Sequence, residues 1–102
     1  MARYTRLCPE PEVPHGTGKL VTVDNRCFAV FRHQGSIYVI DDVCPHRGGS
    51  MSGGQIDADG IAACPWHGWR YSVITGINPV NAQTRLPTFN ARVVDGWVEA
   101  EI

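Results

Sequence analysis

The chain lacks any apolar stretch long enough to cross a membrane, and its charges are not arranged to bind nucleic acid. No run of about 18 apolar residues occurs, and the N-terminal "MARYTRLCPEPEVPHGTGKL" has no apolar core of signal-peptide length. Nine Lys and Arg residues against ten Asp and Glu residues give a formal charge of -1, with no basic stripe. We therefore predict a soluble, cytoplasmic protein with neither a membrane nor a nucleic-acid partner.

The chain is also too short for two domains. Its 102 residues can bury one core but leave no room for a catalytic domain beside it. We expect a single domain, residues 1–102, and we expect a partner to carry out any larger chemistry.

A helical pattern is missing as well, because no segment keeps an apolar period of 3.6 residues over three turns. Eleven Gly and seven Pro residues instead separate short β-branched or aromatic runs, which is typical of an all-β protein. Asp95-Gly96 between two such runs favours a two-residue hairpin turn, and the Pro-rich segment 9–18 reads as a surface loop or one short turn. The predicted strands are 19–24, 27–33, 36–41, 61–64, 69–74, 89–94 and 97–102, with "NR" and "QG" joining the first three.

The four cysteines, in a chain that we predict to be intracellular, suggest metal or redox chemistry before a disulfide framework. Cys8 and Cys27 stand apart from any motif, and Cys27, in the apolar run "CFAVF", is expected to be an ordinary buried thiol. His15 and His33 are likewise expected to be ordinary surface or core residues.

The remaining cysteines each precede a histidine, in "CPH" (44–46) and "CPWH" (64–67). Both pairs follow a strand-like run and stand near glycines, so each is expected on a loop tip where ligands can converge. Two thiolates and two imidazoles suit tetrahedral zinc or an iron-sulfur cluster. A Cys2His2 zinc site usually keeps its cysteines on one turn and its histidines on another, whereas here each loop carries one of each.

Cys-x-His, seventeen residues and then Cys-x-x-His resembles the signature of Rieske [2Fe-2S] proteins, in which two histidines replace two cysteines on one iron. "CPWHGWRYSVITG" is similar to the second ligand loop of bacterial Rieske ferredoxins and of Rieske domains in ring-hydroxylating oxygenases. The resemblance implies an antiparallel β-sandwich or barrel with one cluster per chain, held at one end by loops at about 44–50 and 64–71. It also implies that Cys44 and Cys64 bind the buried iron, and His46 and His67 the iron nearer solvent.

The sequence departs from the respiratory Rieske proteins, which resemble it but link their two loops by a disulfide. The linked positions match Gly49 and Trp66, and a serine that donates to a bridging sulfur matches Trp69. Tyr71 matches the tyrosine that donates to a ligand sulfur there, although packing as a strand aromatic would explain it equally well. The missing disulfide and serine both suggest a carrier of low reduction potential that persists in a reducing cytosol.

The resemblance implies an electron carrier and not an enzyme, one that accepts an electron from a flavin-dependent reductase and passes it to a terminal oxygenase. Two other functions stay open: the small subunit of an assimilatory nitrite reductase, and a zinc-stabilised interaction module. Arg47 and Trp66 adjoin the histidine ligands in sequence, so they are candidates for a partner contact. The alternatives are a solvated cation for Arg47 and, as the favoured reading for Trp66, a hydrophobic lid that keeps water off the sulfurs.

Overall fold

The computed structural model describes residues 3–44, 49–66 and 68–102, which form antiparallel sheets with two short 3-10 turns. The predicted all-β class is confirmed, and no helix in these ranges is long and apolar enough to cross a membrane. Three sheets have the strand orders β1-β9-β8, β2-β3-β4-β7 and β5-β6. The strands are β1 (Tyr4–Pro9), β2 (Lys19–Val23), β3 (Arg26–His33), β4 (Ser36–Asp41), β5 (Ile61–Ala63), β6 (Arg70–Ser72), β7 (Thr88–Phe89), β8 (Ala91–Val94) and β9 (Trp97–Glu101).

The four-stranded sheet is covered on both faces. Successive side chains of a strand point to opposite faces, so Phe28 and Val30 of β3 enter one apolar cluster while Ala29 and Phe31 enter another. The first cluster includes Val98 of β9, and the second includes residues of β5, β6 and the loops that follow β4 and β5. The continuous apolar run "CFAVF" is explained by this double burial.

The first two predicted hairpins are present, with a shift of one residue in the first. Its turn is Asp24-Asn25, and not the predicted "NR", because both residues adopt positive φ (49° and 67°), which Asn and Asp tolerate better than arginine. Residue Arg26 therefore begins β3 and pairs with Val23. The second turn is Gln34-Gly35, as predicted, also with positive φ at both positions.

Two predicted strands are too long. The run 69–74 is a strand only at Arg70–Ser72, because the Ser72 hydroxyl accepts hydrogen bonds from the N–H groups of Ile74 and Thr75 and turns the chain. The run 89–94 is divided: Phe89 pairs with Val39 in the four-stranded sheet, while Ala91–Val94 pairs with β9 in the other sheet.

The N-terminal strand β1, Tyr4–Pro9, was not predicted from the sequence. It pairs with β9 and buries Cys8, with an irregularity in register between Arg6 and Cys8. The segment 9–18 contains a single 3-10 turn, Glu10–Glu12, as its prolines suggested.

Candidate metal centre

The first candidate loop begins beyond the end of β4. An isolated bridge between Val43 and Ser50 brings its two ends together, and the Cys44 N–H donates to the Gly49 carbonyl at 2.8 Å. The Cys44 side chain is 1% exposed. The loop therefore turns back on itself and directs its cysteine into the protein.

The second candidate loop begins where β5 ends at Ala63. The Cys64 N–H donates to the Trp69 carbonyl at 2.6 Å, and the Gly68 N–H donates to the Cys64 carbonyl at 3.0 Å. Gly68 has φ +72°, a conformation that glycine adopts without strain. This tight turn leaves Cys64 1% exposed, on the same side of the protein as Cys44 and in the same apolar cluster.

The two loops touch each other at Gly49. A methyl group on Gly49 would lie 2.8 Å from the Cys64 sulfur, closer than real side-chain carbons come to such an atom, and 3.0 Å from Trp66 Cβ, which is tighter than most such contacts. Gly49 and Trp66 are the positions that match the linking disulfide of the respiratory proteins. In this chain the absence of a side chain at Gly49 permits the contact instead.

Tyr71 lies beneath the first cysteine. Its side chain is fully buried, and its hydroxyl oxygen lies 3.8 Å from the Cys44 sulfur, with the thiol donating. A ligating thiolate has no proton, so the direction would reverse and the tyrosine would donate. Burial, followed by the hydrogen bond with Cys44, raises the pKa of Tyr71 and keeps its proton available for this role.

The electrostatic surroundings disfavour a free thiolate at Cys64. Burial is the largest cause that raises the pKa of this thiol, and the neighbouring Cys44 raises it further. A backbone hydrogen bond from Trp66 acts in the opposite sense and lowers the pKa. Because a bound metal supplies the positive charge that a buried thiolate needs, the site is suited to a metal ligand.

The predicted histidine ligands, His46 and His67, and also Arg47, lie outside the described residues. Within ranges 3–44, 49–66 and 68–102 there is no group of three or more side chains that could hold a metal ion. The described part of the chain thus contributes Cys44 and Cys64 to the candidate centre.

The other cysteines and histidines lie elsewhere. Cys8 belongs to the first apolar cluster, the one that contains Phe28 and Val98. Cys27 is only partly buried, with its sulfur 3.8 Å from the Thr22 hydroxyl, since it lies near the start of β3. His15 is exposed, and His33 packs near Tyr38, with ring centroids 6.3 Å apart.

One participant was not predicted from the sequence: Asp42, whose buried carboxylate accepts hydrogen bonds at the base of the first loop. In the sequence, only its position two residues before Cys44 could have drawn attention to Asp42. Aspartate is common in turns, so this position gave no reason to single it out.

Comparison with known proteins agrees with this geometry. A family model described as the Rieske [2Fe-2S] domain matches residues 3–90. The ferredoxin component of the alkene monooxygenase system of Xanthobacter autotrophicus is 30% identical over 97 residues, covering 93% of this chain and 78% of that protein. Ferredoxin CarAc of Metapseudomonas resinovorans is 31% identical over 98 residues, covering 93% of this chain and 90% of that protein.

A third relative is much longer than this chain. Cholesterol 7-desaturase nvd 1 of Ciona intestinalis is 34% identical over 87 residues, and the chain spans 18% of its length.

Solved structures show the same fold. The ferredoxin of Sphingomonas yanoikuyae B1 superposes with a TM-score of 0.86 at 27% identity, over 98% of this chain and 99% of that one. A chain from the complex of reduced oxygenase and oxidized ferredoxin in carbazole 1,9a-dioxygenase has a TM-score of 0.82 at 29% identity, covering 96% of this chain and 92% of that one.

Proposed function

Because this chain belongs to the Rieske [2Fe-2S] family, we propose that it is a one-electron carrier that passes electrons from a flavin-dependent reductase to a terminal oxygenase. The family's domain carries a [2Fe-2S] cluster, and in this chain Cys44 and Cys64 would hold one iron. The histidines at 46 and 67 would hold the other, which would make one cluster per chain.

The described residues fit such a cluster. The observation that carries the proposal is the convergence of two buried cysteines from separate loops, with the Tyr71 hydroxyl 3.8 Å from one sulfur. The apolar side chains of Met51 and Leu86 belong to the same buried cluster and keep water from the sulfurs.

When bound, the cluster takes up and releases a single electron. The chain's own residues set how easily this happens. As a donor to the Cys44 thiolate, Tyr71 favours the reduced state, in which the sulfur carries more negative charge. The backbone N–H of Trp66 has the same effect on Cys64. Position 69, where respiratory relatives have a serine donor, is tryptophan here, so we propose a potential at the lower end of the Rieske range.

The surface beside the cysteines suits a short-lived protein contact. Val43 precedes Cys44 in the first loop and is 52% exposed. Trp66 lies in the second loop and is 55% exposed. Such exposure leaves both side chains accessible to a partner. We therefore propose Trp66 as part of the contact with the reductase and the oxygenase.

The likeness to ferredoxin components of oxygenase systems supports the oxygenase as a partner. The flavin-dependent reductase is our proposal for the electron donor. The cysteines of the described ranges are all free thiols, which fits the reducing cytoplasm that we propose as its location.

The proposal is tested by reconstitution. The purified protein is mixed with a flavin-dependent reductase and a terminal oxygenase, and its visible absorbance is followed by stopped flow. We expect bleaching when reductase and reduced nicotinamide are added, and recovery when oxidised oxygenase is added.

Two variants sharpen this experiment. Cys64→Ser should lose the chromophore and stop electron flow, whereas Trp66→Ala should keep its potential but slow both transfers. Copurification with a large sirohaem-containing chain, or a colourless protein that holds zinc, would contradict the proposal.

A further inference from the structure

A buried carboxylate closes the base of the loop that carries Cys44. Asp42 is 5% exposed, and its carboxylate accepts the Ser50 hydroxyl at 2.8 Å (Oδ2) and 3.0 Å (Oδ1). The Ser52 N–H donates to Oδ1 at 2.8 Å, and the two serine hydroxyls lie 2.9 Å apart. Because the Ser50 proton is engaged by the carboxylate, the Ser52 hydroxyl donates to Ser50.

This network joins the two ends of one loop. Asp42 precedes Cys44 by two residues, and Ser50 stands where the loop returns to the sheet. The backbone contributes a 2.7 Å hydrogen bond from the Met51 N–H to the Asp42 carbonyl. The Asp42 carboxylate is the group that accepts the Ser50 hydroxyl proton, and the Ser52 hydroxyl supports Ser50 from the other side.

The negative charge of Asp42 is held by hydrogen-bond donors. None of the ion pairs within the described ranges includes it. A fixed negative charge at the base of the loop that carries Cys44 opposes the arrival of an electron at that cysteine.

We propose that Asp42 is a positioning residue that, with Ser50 as its donor, keeps the Cys44 sulfur in place for the cluster and holds the reduction potential low. Partners that orient metal ligands from outside the first coordination sphere typically affect metal affinity by roughly 10- to 100-fold. The inference rests on the cluster of the family and not on any electron-transfer partner. Its test therefore uses the isolated holoprotein, and failure of the reconstitution above would leave it intact.

The first measurement is the rate at which the oxidised cluster bleaches in an iron chelator. Asp42→Asn removes the charge at nearly constant volume, and Ser50→Ala removes the donor from an exposed side chain. Both should bleach roughly 10- to 100-fold faster than the unmodified protein. Ser50→Thr keeps the hydroxyl and should restore the original rate. Asp59→Asn is the control, because Asp59 is an exposed carboxylate in the turn before β5.

The second measurement is the midpoint potential, which a purely structural role would not move. Asp42→Asn should raise it, while Asp59→Asn should leave it unchanged. The proposal is overturned if Ser50→Ala bleaches at the original rate, if Ser50→Thr bleaches as fast as Ser50→Ala, or if Asp42→Asn leaves the potential unchanged. Should Asp42→Asn fail to fold, the comparison of Ser50→Ala with Ser50→Thr decides alone.

Discussion

At the scale of single residues, two positions shape the candidate centre: one that has no side chain and one that supplies a hydroxyl group. Gly49 has no side chain, and this allows the first loop to touch Cys64 and Trp66. Tyr71 adds one hydroxyl to an otherwise apolar environment and directs it at Cys44. The positions of Gly49 and of the Tyr71 hydroxyl are both set by the path of the backbone, whatever metal the cysteines bind.

Tyr71→Phe should lower the reduction potential. The substitution keeps the buried ring but removes the hydroxyl near the Cys44 sulfur, so the reduced state loses a donor. A difference of about 1 kcal/mol between the two redox states corresponds to roughly 40 mV for a one-electron couple. A spectroscopic redox titration measures the shift, and Tyr38→Phe, which removes a hydroxyl from a partly buried tyrosine near His33, should produce none.

Gly49→Ala should weaken cluster binding. Its methyl group would come too close to the Cys64 sulfur and to Trp66 Cβ, neither of which is the free end of a flexible side chain. Overpacking of this kind costs about 1–3 kcal/mol. Gly53→Ala is the matched control, because its nearest neighbour would be Pro65 Cγ at an ordinary 3.7 Å. Iron and sulfide content per chain gives the readout, and full occupancy in Gly49→Ala would show that the loops can separate without cost.

The sequence predicted both cysteine loops because Cys-x-His and Cys-x-x-His form a distinctive pattern. It could not predict the contact of Gly49 with Cys64, which depends on how two loops approach each other across the fold. Asp42 was missed for a related reason: its partners, Ser50 and Ser52, are set by the return path of the loop. The ligand assignment to His46 and His67 stays a prediction.

At the scale of elements, turn chemistry was the most predictable part of the fold. Gln34-Gly35 and Asp95-Gly96 join their strands as the sequence indicated, with positive φ at each residue. The division of the run 89–94 was not predictable, because its two halves are equally strand-like. Tertiary packing determines where the run divides. Phe89 packs edge to face against Phe28, with ring centroids 5.2 Å apart, and therefore belongs to the four-stranded sheet.

Two glycines with similar backbone angles should respond very differently to substitution by alanine. Gly96 (φ +80°) has open space around it, so Gly96→Ala should cost only the backbone strain of about 1–2 kcal/mol. Gly76 (φ +78°) faces the carbonyl of Leu86 at a distance that no methyl group can occupy, so Gly76→Ala should cost more.

Apparent thermal unfolding midpoints at one heating rate measure this difference. Each kcal/mol should lower the midpoint by about 4–8 °C in a domain of this size. Equal midpoints in Gly76→Ala and Gly96→Ala would mean that the backbone at Gly76 can move away from the Leu86 carbonyl without cost, which would contradict the prediction.

At the scale of the whole molecule, the four-stranded sheet separates two apolar clusters, and Cys44 and Cys64 both belong to the same one. The cluster with Cys44, Cys64 and Tyr71 is formed by the sheet together with β5, β6 and the ligand loops. The other joins the sheet to β1, β8 and β9 and includes neither ligand cysteine. One layer of the protein therefore contains both candidate cysteine ligands, and the other contains neither.

Every function proposed for this chain requires one reducible cluster made of two irons and two sulfides. The most direct measurement determines iron, acid-labile sulfide, zinc and reducing equivalents on the same purified sample. We predict two irons, two sulfides and one electron taken up per chain, since two cysteines and two histidines fill the outer positions of a single [2Fe-2S] unit. One zinc per chain, with no sulfide and no electron uptake, would contradict the account.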